Sequence, residues 1–482
     1  MMNDHPSMPW RFGLPVLLIV VACTKQNPRS CVDGFCNDPQ FPFCDVDGTL
    51  EGQENTCIGV SCTPGDFAAC RGDELISCDA TGNNYNVTEC ERGCDANAGG
   101  CKGCENNDQC ANPNPICDTG NSSCRGCSLD DECASRVCDF ASGACLPGTS
   151  VVYAAPSGVN SGPCTLDAPC ALPRAVTVAS TAAVTPVLRL LPGTFLDLLK
   201  VVMPTTSPLQ VVGTGATIGP TTAGVAVTIA GGANVHIRNL TLNDPSGGIV
   251  CSDPNVSSSI TVEDSSLTAT SGMSISRCTA TFRNFEMRIP GDNGLGVDIV
   301  GPATFEAEKL NAHADSGTVF NVAGQGASVH VTNSVFENIL VGASTTDTTD
   351  PGSKLLFAFD TFIMNANVQH GCQINAGSAH RTFLFENSII KGTSNNDVIF
   401  GTGGCTLLHN ILTPQSVNVP PTNSTADPQL KDIAARDFRL KSTSPAIDAA
   451  VPSTGLDPTI DFDGVARPQG AAKDLGAFEF KP

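Results

Sequence analysis

Basic residues are scarce in this chain of 482 residues: 26 Lys and Arg stand against 48 Asp and Glu, a formal charge of −22. A field of that sign repels phosphate backbones and anionic lipid surfaces, which excludes nucleic acid as a partner. Aromatics are also sparse, at 5% with one Trp and two Tyr. The apolar 41% is therefore mostly Val, Ile, Leu and Ala, which suits many short strands better than long helices. Histidine is missing altogether between residues 6 and 235. The apolar run at residues 12–21, behind Arg11, is too short to cross a bilayer as a helix.

That run has the size of a signal-peptide core. It ends in Val20-Val21-Ala22-Cys23, which resembles the bacterial lipobox, where a small residue precedes the cysteine that becomes lipid-modified. The resemblance implies a signal peptide over residues 1–22, a lipid on Cys23, a tether over 23–30, and a membrane partner reached through that lipid. Thr24 is not the aspartate of inner-membrane retention, so outer-membrane or cell-surface display is implied. The bland alternative is an ordinary signal peptide with Cys23 as one more disulfide partner. A start at Met8 would give a more conventional leader than Met1 does.

Cysteine is what the chain has in excess, 25 in all. Eighteen lie between Cys31 and Cys145, in a region (31–147) too poor in large apolar residues to fold on a hydrophobic core alone. Part of it repeats with a period of 23 residues: Cys104, Cys110, Cys117 and Cys124 are followed by Cys127, Cys133, Cys138 and Cys145. Asp118 and Asp139 follow the third cysteine of each block, and Cys36, Cys44 and Cys57 form a looser copy. Cys101-x2-Cys104 and Cys124-x2-Cys127 have the spacing of a four-cysteine zinc site. The export signal, the missing histidines and the even number of cysteines left after Cys23 favour disulfides and no metal. The region resembles the cysteine-rich repeats of secreted bacterial surface proteins and reads as a stalk; connectivity stays open.

After Gly148 the composition changes to Val, Ala, Thr, Ser and Gly, and a longer period begins. Asn239, Asp264, Asn284, Ala307, Asn333, Asp360, Asn387 and Asn410 stand 20 to 27 residues apart. Apolar residues precede each by two, such as Ile237, Val262 and Phe282, and usually by four. Positions −4 and −2 share one face of a strand, the anchor sits at a bend, and an apolar residue at +3 re-enters the core. Such a repeat is one coil of a parallel β solenoid, with strands of successive coils ~4.8 Å apart. The stacked Asn and Asp anchors form a structural ladder that satisfies the bend's own backbone. Cys251 with Cys278 and Cys372 with Cys405 lie about one coil apart, and Cys164 is near Cys170; three disulfides are expected.

Residues 150–480 resemble the right-handed parallel β-helix family, the pectate-lyase-like superfold. The entry Val152-Tyr153-Ala154-Ala155-Pro156-Ser157-Gly158, the alanine-rich stretch 175–183 and Leu191-Pro192-Gly193-Thr194-Phe195 carry the resemblance. So does the exit, with Asp437-Phe438-Arg439-Leu440, Asp461-Phe462-Asp463-Gly464, Arg467-Pro468 and Asp474-Leu475-Gly476-Ala477-Phe478-Glu479. The resemblance implies a mainly β fold, a right-handed parallel β-helix over 150–430 and a C-terminal cap over 431–482 that protects the last coil's strand edges. Many relatives cleave acidic polysaccharides. The hydrolase strings Asn-Thr-Asp, Asp-Asp, Gly-His-Gly and Arg-Ile-Lys are missing here, and Gln369-His370-Gly371 is the nearest approach.

One carboxylate pair remains as a catalytic or calcium candidate: Asp292 and Asp315, each eight residues past its anchor, with His313 beside the second. The alternative is two solvated loop carboxylates, with no cofactor. Asp461-x-Asp463-Gly464 lacks the later ligands of a calcium loop and reads as cap structure. Two functions follow: a non-catalytic surface lipoprotein whose rod binds a polysaccharide or an envelope protein, or a diverged polysaccharide lyase or glycoside hydrolase.

Overall fold

The structure is a computed structural model. It describes residues 29–482 except 32, 51–52, 182–186, 206, 220–223, 245, 292–294, 325, 344–352, 365–372, 375–381, 393–404, 414–418 and 454–455. Cys23, Asp292 and Cys372 fall outside the described residues, and with them the lipid site, the carboxylate pair and the Cys372–Cys405 bridge. The chain divides into two compact units, one ending at Arg125 and one starting at Gly126.

The first unit is held by disulfides, because its apolar centre is little more than Phe43, Ile58 and Ile76. Cys31 pairs with Cys44 and Cys36 with Cys57. Cys104 pairs with Cys117 and Cys110 with Cys124. First-to-third and second-to-fourth pairing thus recurs from copy to copy, while Cys62–Cys78, Cys70–Cys94 and Cys90–Cys101 staple the module between. The aspartate after each third cysteine closes a turn: Asp118 Oδ1 accepts from the Gly120 amide at 3.0 Å. The four cysteines with zinc-site spacing are all disulfide-bonded, each to a different partner.

The second unit is a parallel β-helix, mainly strand, with three faces. Val187–Leu190, Leu209–Ile218, Asn234–Asp244, Ser258–Ala269, Cys278–Ile289 and Thr304–Ala323 begin on the first face, the longer ones running on round the corner, and pair in parallel, each with its counterpart one coil on. Like positions stack: Ile237 lies opposite Val262, and Val262 opposite Phe282. Inward residues merge into one core that also takes Leu172, Ala175, Val176 and Ala179 of the helix Leu172–Ser180. Ten phenylalanines gather there: the Phe357 ring lies 5.1 Å from Phe385 and 5.8 Å from Phe320. Cys164–Cys170 and Cys251–Cys278 are bridged, with Cα atoms 4.8 and 5.9 Å apart.

The bend between the first and second faces holds residues in the left-handed region: Asn239, Asp264, Asn284, Lys309, Asn333, Phe359, Asn387 and His409, with φ from 48° to 59°. This corrects the anchor column in three coils. Phe282 lies opposite Ala307, so Lys309 takes the bend. Val331 lies opposite Phe357, and Phe385 opposite Leu407. Phe359 and His409 therefore turn the corner, and Asp360 and Asn410 stand one place later, pointing into the core.

That inward place forms the ladder. The backbone amide there turns away from the strand pairing and needs an acceptor from the next coil. Leu240 N–H donates to Ser265 Oγ at 3.0 Å and Leu310 N–H to Ser334 Oγ at 3.0 Å. Ser334 N–H donates to Asp360 Oδ1 at 2.8 Å, Asp360 N–H to Ser388 Oγ at 3.1 Å, and Ser388 N–H to Asn410 Oδ1 at 2.9 Å. The Ser334 hydroxyl in turn donates to the Thr332 carbonyl at 2.8 Å. Ser334→Ala leaves the buried Leu310 amide without its acceptor, at an expected cost of about 2 kcal/mol, measured as a lower urea midpoint at unchanged m-value.

Two modules lie on the outside of this rod. The final cysteine repeat, stapled by Cys127–Cys138 and Cys133–Cys145, belongs with the solenoid and not with the preceding repeats. It covers outward residues of the first coils, with Val137 packed among Val151, Tyr153, Val187 and Val212. The C-terminal segment folds back along the side of the later coils, where Phe438, Leu475, Ala477 and Phe478 pack on Val335, Ile363, Ile389 and Ile411.

Candidate functional site

Outward positions at the start of the second face change character along the rod. In register they read Thr241, Ser266, Glu286 and Asn311, then Val335, Thr361, Ile389 and Ile411. The later, largely apolar stretch lies under the C-terminal module. The polar stretch stays open, as do the corner residues beside it.

The C-terminal module takes the later corner residues as its docking points. Asn333 Nδ2 donates to the Ile460 carbonyl at 2.7 Å, and Asn387 Nδ2 to that of Val451 at 2.8 Å. The Arg467 guanidinium lies over the Phe359 ring at 5.2 Å. At the other end Asp130 reaches the corner. Its Oδ1 accepts from Arg238 Nη2 at 2.7 Å and from the Cys138 amide at 3.0 Å. Its Oδ2 accepts from Thr214 Oγ1 at 3.1 Å and Asn239 Nδ2 at 3.3 Å. Beside it, the fully buried Arg189 spans from Asp131 Oδ1 at 3.2 Å to the carbonyls of Leu190 and Thr214 at 2.8 and 3.1 Å.

Between these brackets lies a cleft of about 690 Å³. Its floor is Asp264, Asn284, Glu286, Lys309 and Asn311, Phe140 and Leu129 rise on one side, and Phe462 closes the other. Asn284 Nδ2 donates to Asp264 Oδ1 at 2.6 Å, so the floor is pre-arranged. Phe140 is held by the Arg238 guanidinium, 4.3 Å from its ring centre, and remains 46% exposed. Among the described lining residues Lys309 is the only cation.

Of the sequence-derived catalytic candidates, His313 and Asp315 lie elsewhere, further along the outward side of the second face. His313 Nε2 is 3.3 Å from Asp315 and its Nδ1 is 3.3 Å from Glu337. Arg288 reaches Asp315 at 3.4 Å and Arg436 reaches Glu337 at 2.7 Å. Burial raises the Glu337 carboxyl, but hydrogen bonding from His313 and the charges of His313 and Arg436 outweigh it and hold the group below its ordinary value. This is an interlocked charge row that helps tie the C-terminal module to the rod. On the third face Asp298 accepts from Asn321 Nδ2 at 2.8 Å. Among the described residues no group of carboxylates and histidines converges as a metal site would; the clusters close enough are disulfide-bonded cysteines.

Sequence reasoning missed the cleft's walls. The signal for one was Asp130: one period earlier Asn107 stands in its place and accepts from the Cys117 amide at 2.9 Å, the same turn with no charge.

No family model matches the chain, and no curated protein does. Among solved structures, the crystal structure of pectate lyase Pel9A is similar, at 14% identity, over 69% of this chain and 96% of that one, with a TM-score of 0.38.

Proposed function

We propose that this chain is an exported bacterial envelope lipoprotein, tethered through Cys23 at the outer membrane or cell surface, whose β-helix binds a glycan or another envelope component without cleaving it. The observation that carries the binding half is the stretch of corner left open between two modules that cover the rest. The disulfides suit an oxidising compartment. Cleavage would need a carboxylate pair or a calcium site beside an available base. Asp130 is saturated by four donors, and Asp315 is flanked by Arg288 and His313.

The full chain, produced in a bacterial host, should partition into detergent and carry labelled fatty acid, and Cys23→Ser should send it to the aqueous phase. An unlabelled wild type would refute the anchor. Incubation with polygalacturonate and with neutral polysaccharides should release neither unsaturated products nor new reducing ends. Products lost in His313→Ala would instead establish a diverged lyase or hydrolase.

A further inference from the structure

We propose that the cleft between Phe140 and Phe462 binds a neutral, polyhydroxylated glycan lying along the rod axis, and that its charge excludes polyuronates. This rests on the display reading and names the site and class within it. From Asn239 to Lys309 the floor spans three coil spacings, roughly 15 Å, and it offers side-chain oxygens and amides at each step of ~4.8 Å. Carboxylates and amides facing water are good partners for sugar hydroxyls, which donate as well as accept. Two phenylalanines at opposite ends present apolar faces on which a pyranose ring can rest.

The charge is one-sided. Asp130 and Asp131 are paired with Arg238 and Arg189, which leaves Asp264 and Glu286 lining the space against Lys309 alone. A chain bearing a carboxylate on every sugar meets like charge in a confined groove, where screening is weaker than on an open surface. A peptide is disfavoured for a different reason. The corner amides of Leu240 and Leu310 are already satisfied by the next coil, so this bend presents no open strand edge to extend.

The test is affinity electrophoresis of the full chain through gels holding soluble β-glucan, mannan, galactan or polygalacturonate. Glu286 and Asn311 are outward strand positions, so Glu286→Ala with Asn311→Ala should leave the fold intact; urea unfolding verifies this. Retardation by at least one neutral glycan is expected, weakened at least tenfold in that double variant. Thr228→Ala with Ser274→Ala, on the third face, should stay within twofold of wild type. Polygalacturonate should not retard the wild type, whereas Glu286→Lys should gain affinity for it. If a neutral glycan binds but the floor variant is unaffected, the cleft assignment fails and the display reading stands. Polygalacturonate bound as tightly as the neutral glycans overturns the class. If no glycan binds, both this inference and the glycan half of the display reading fall, and the Cys23→Ser result alone decides the anchor.

Discussion

Arg467→Met is expected to destabilise the second unit by about 3–5 kcal/mol, the usual penalty for breaking a buried ion pair from one side. The Arg467 side chain is fully buried. Its Nη1 donates to Glu479 Oε2 at 3.0 Å and to the Asp474 carbonyl at 2.9 Å, and its Nη2 to the Gly476 carbonyl at 2.7 Å. Asp461, Asp474 and Glu479 are all buried in the same module, so losing the cation leaves three enclosed carboxyl groups without their counter-charge. Denaturant unfolding gives the size of the effect. Exposure of Val335, Ile389 and Ile411 should appear as increased binding of a hydrophobic dye.

The same module sets a pH dependence. Burial pushes the Asp474 carboxyl up to about 6 and that of Asp360 well above the ordinary range. A carboxyl whose folded value is raised holds a proton that the unfolded chain has released, so stability falls as pH rises from its unfolded value, ~4, toward its folded one. Glu263, Glu337 and Asp427 have lowered values; their contribution is complete above ~4.5 and is lost only below it. Wild type should therefore weaken between about pH 4.5 and 6. A urea midpoint that rises over that interval would contradict the placement of Asp360 and Asp474.

Asp130→Asn is expected to free the final cysteine repeat from the rod, at about 3 kcal/mol, while leaving the repeat itself folded. Asn107 holds the equivalent turn without a charge, so an amide at 130 can keep the Cys138 amide satisfied. What it cannot keep is the pair with Arg238, whose side chain is 11% exposed and whose guanidinium burial already makes harder to keep charged. Limited proteolysis should cut near residues 126–147 faster in the variant, and hydrogen exchange should speed up at Val212 and Arg238 but not at Phe336. Unchanged exchange at Val212 would mean that the repeat is not a wall of the cleft.

The coil period was legible because its cause is local. Residues two and four before the bend face inward whatever the rest of the chain does, and Asn or Asp tolerates the left-handed bend better than most side chains. Asn239, Asp264, Asn284, Asn333 and Asn387 were found for that reason. The rule misplaced the bend where the preference was overridden. Phe359 turns the corner because Arg467 covers its ring, and Asp360 is drawn inward to accept the Ser334 amide. Lys309, in the open cleft, turns the corner without either device. The modules were not legible as brackets, since their positions depend on contacts such as Arg238–Asp130, 108 residues apart. A trace did exist in the outward rows, which become apolar at Val151, Tyr153 and Val187 and again at Val335, Ile389 and Ile411, where solvent-facing strand positions should be polar.

Hydrogen exchange of the full chain, with and without the neutral glycan that retards it most, tests the central claim most directly. Slower exchange at Leu129–Phe140, Asn239–Thr241, Asp264–Ser266, Asn284–Glu286 and around Phe462, with Thr228 and Ser274 unchanged, is the predicted footprint. Slowing confined to the third face, or spread evenly along the rod, would contradict it.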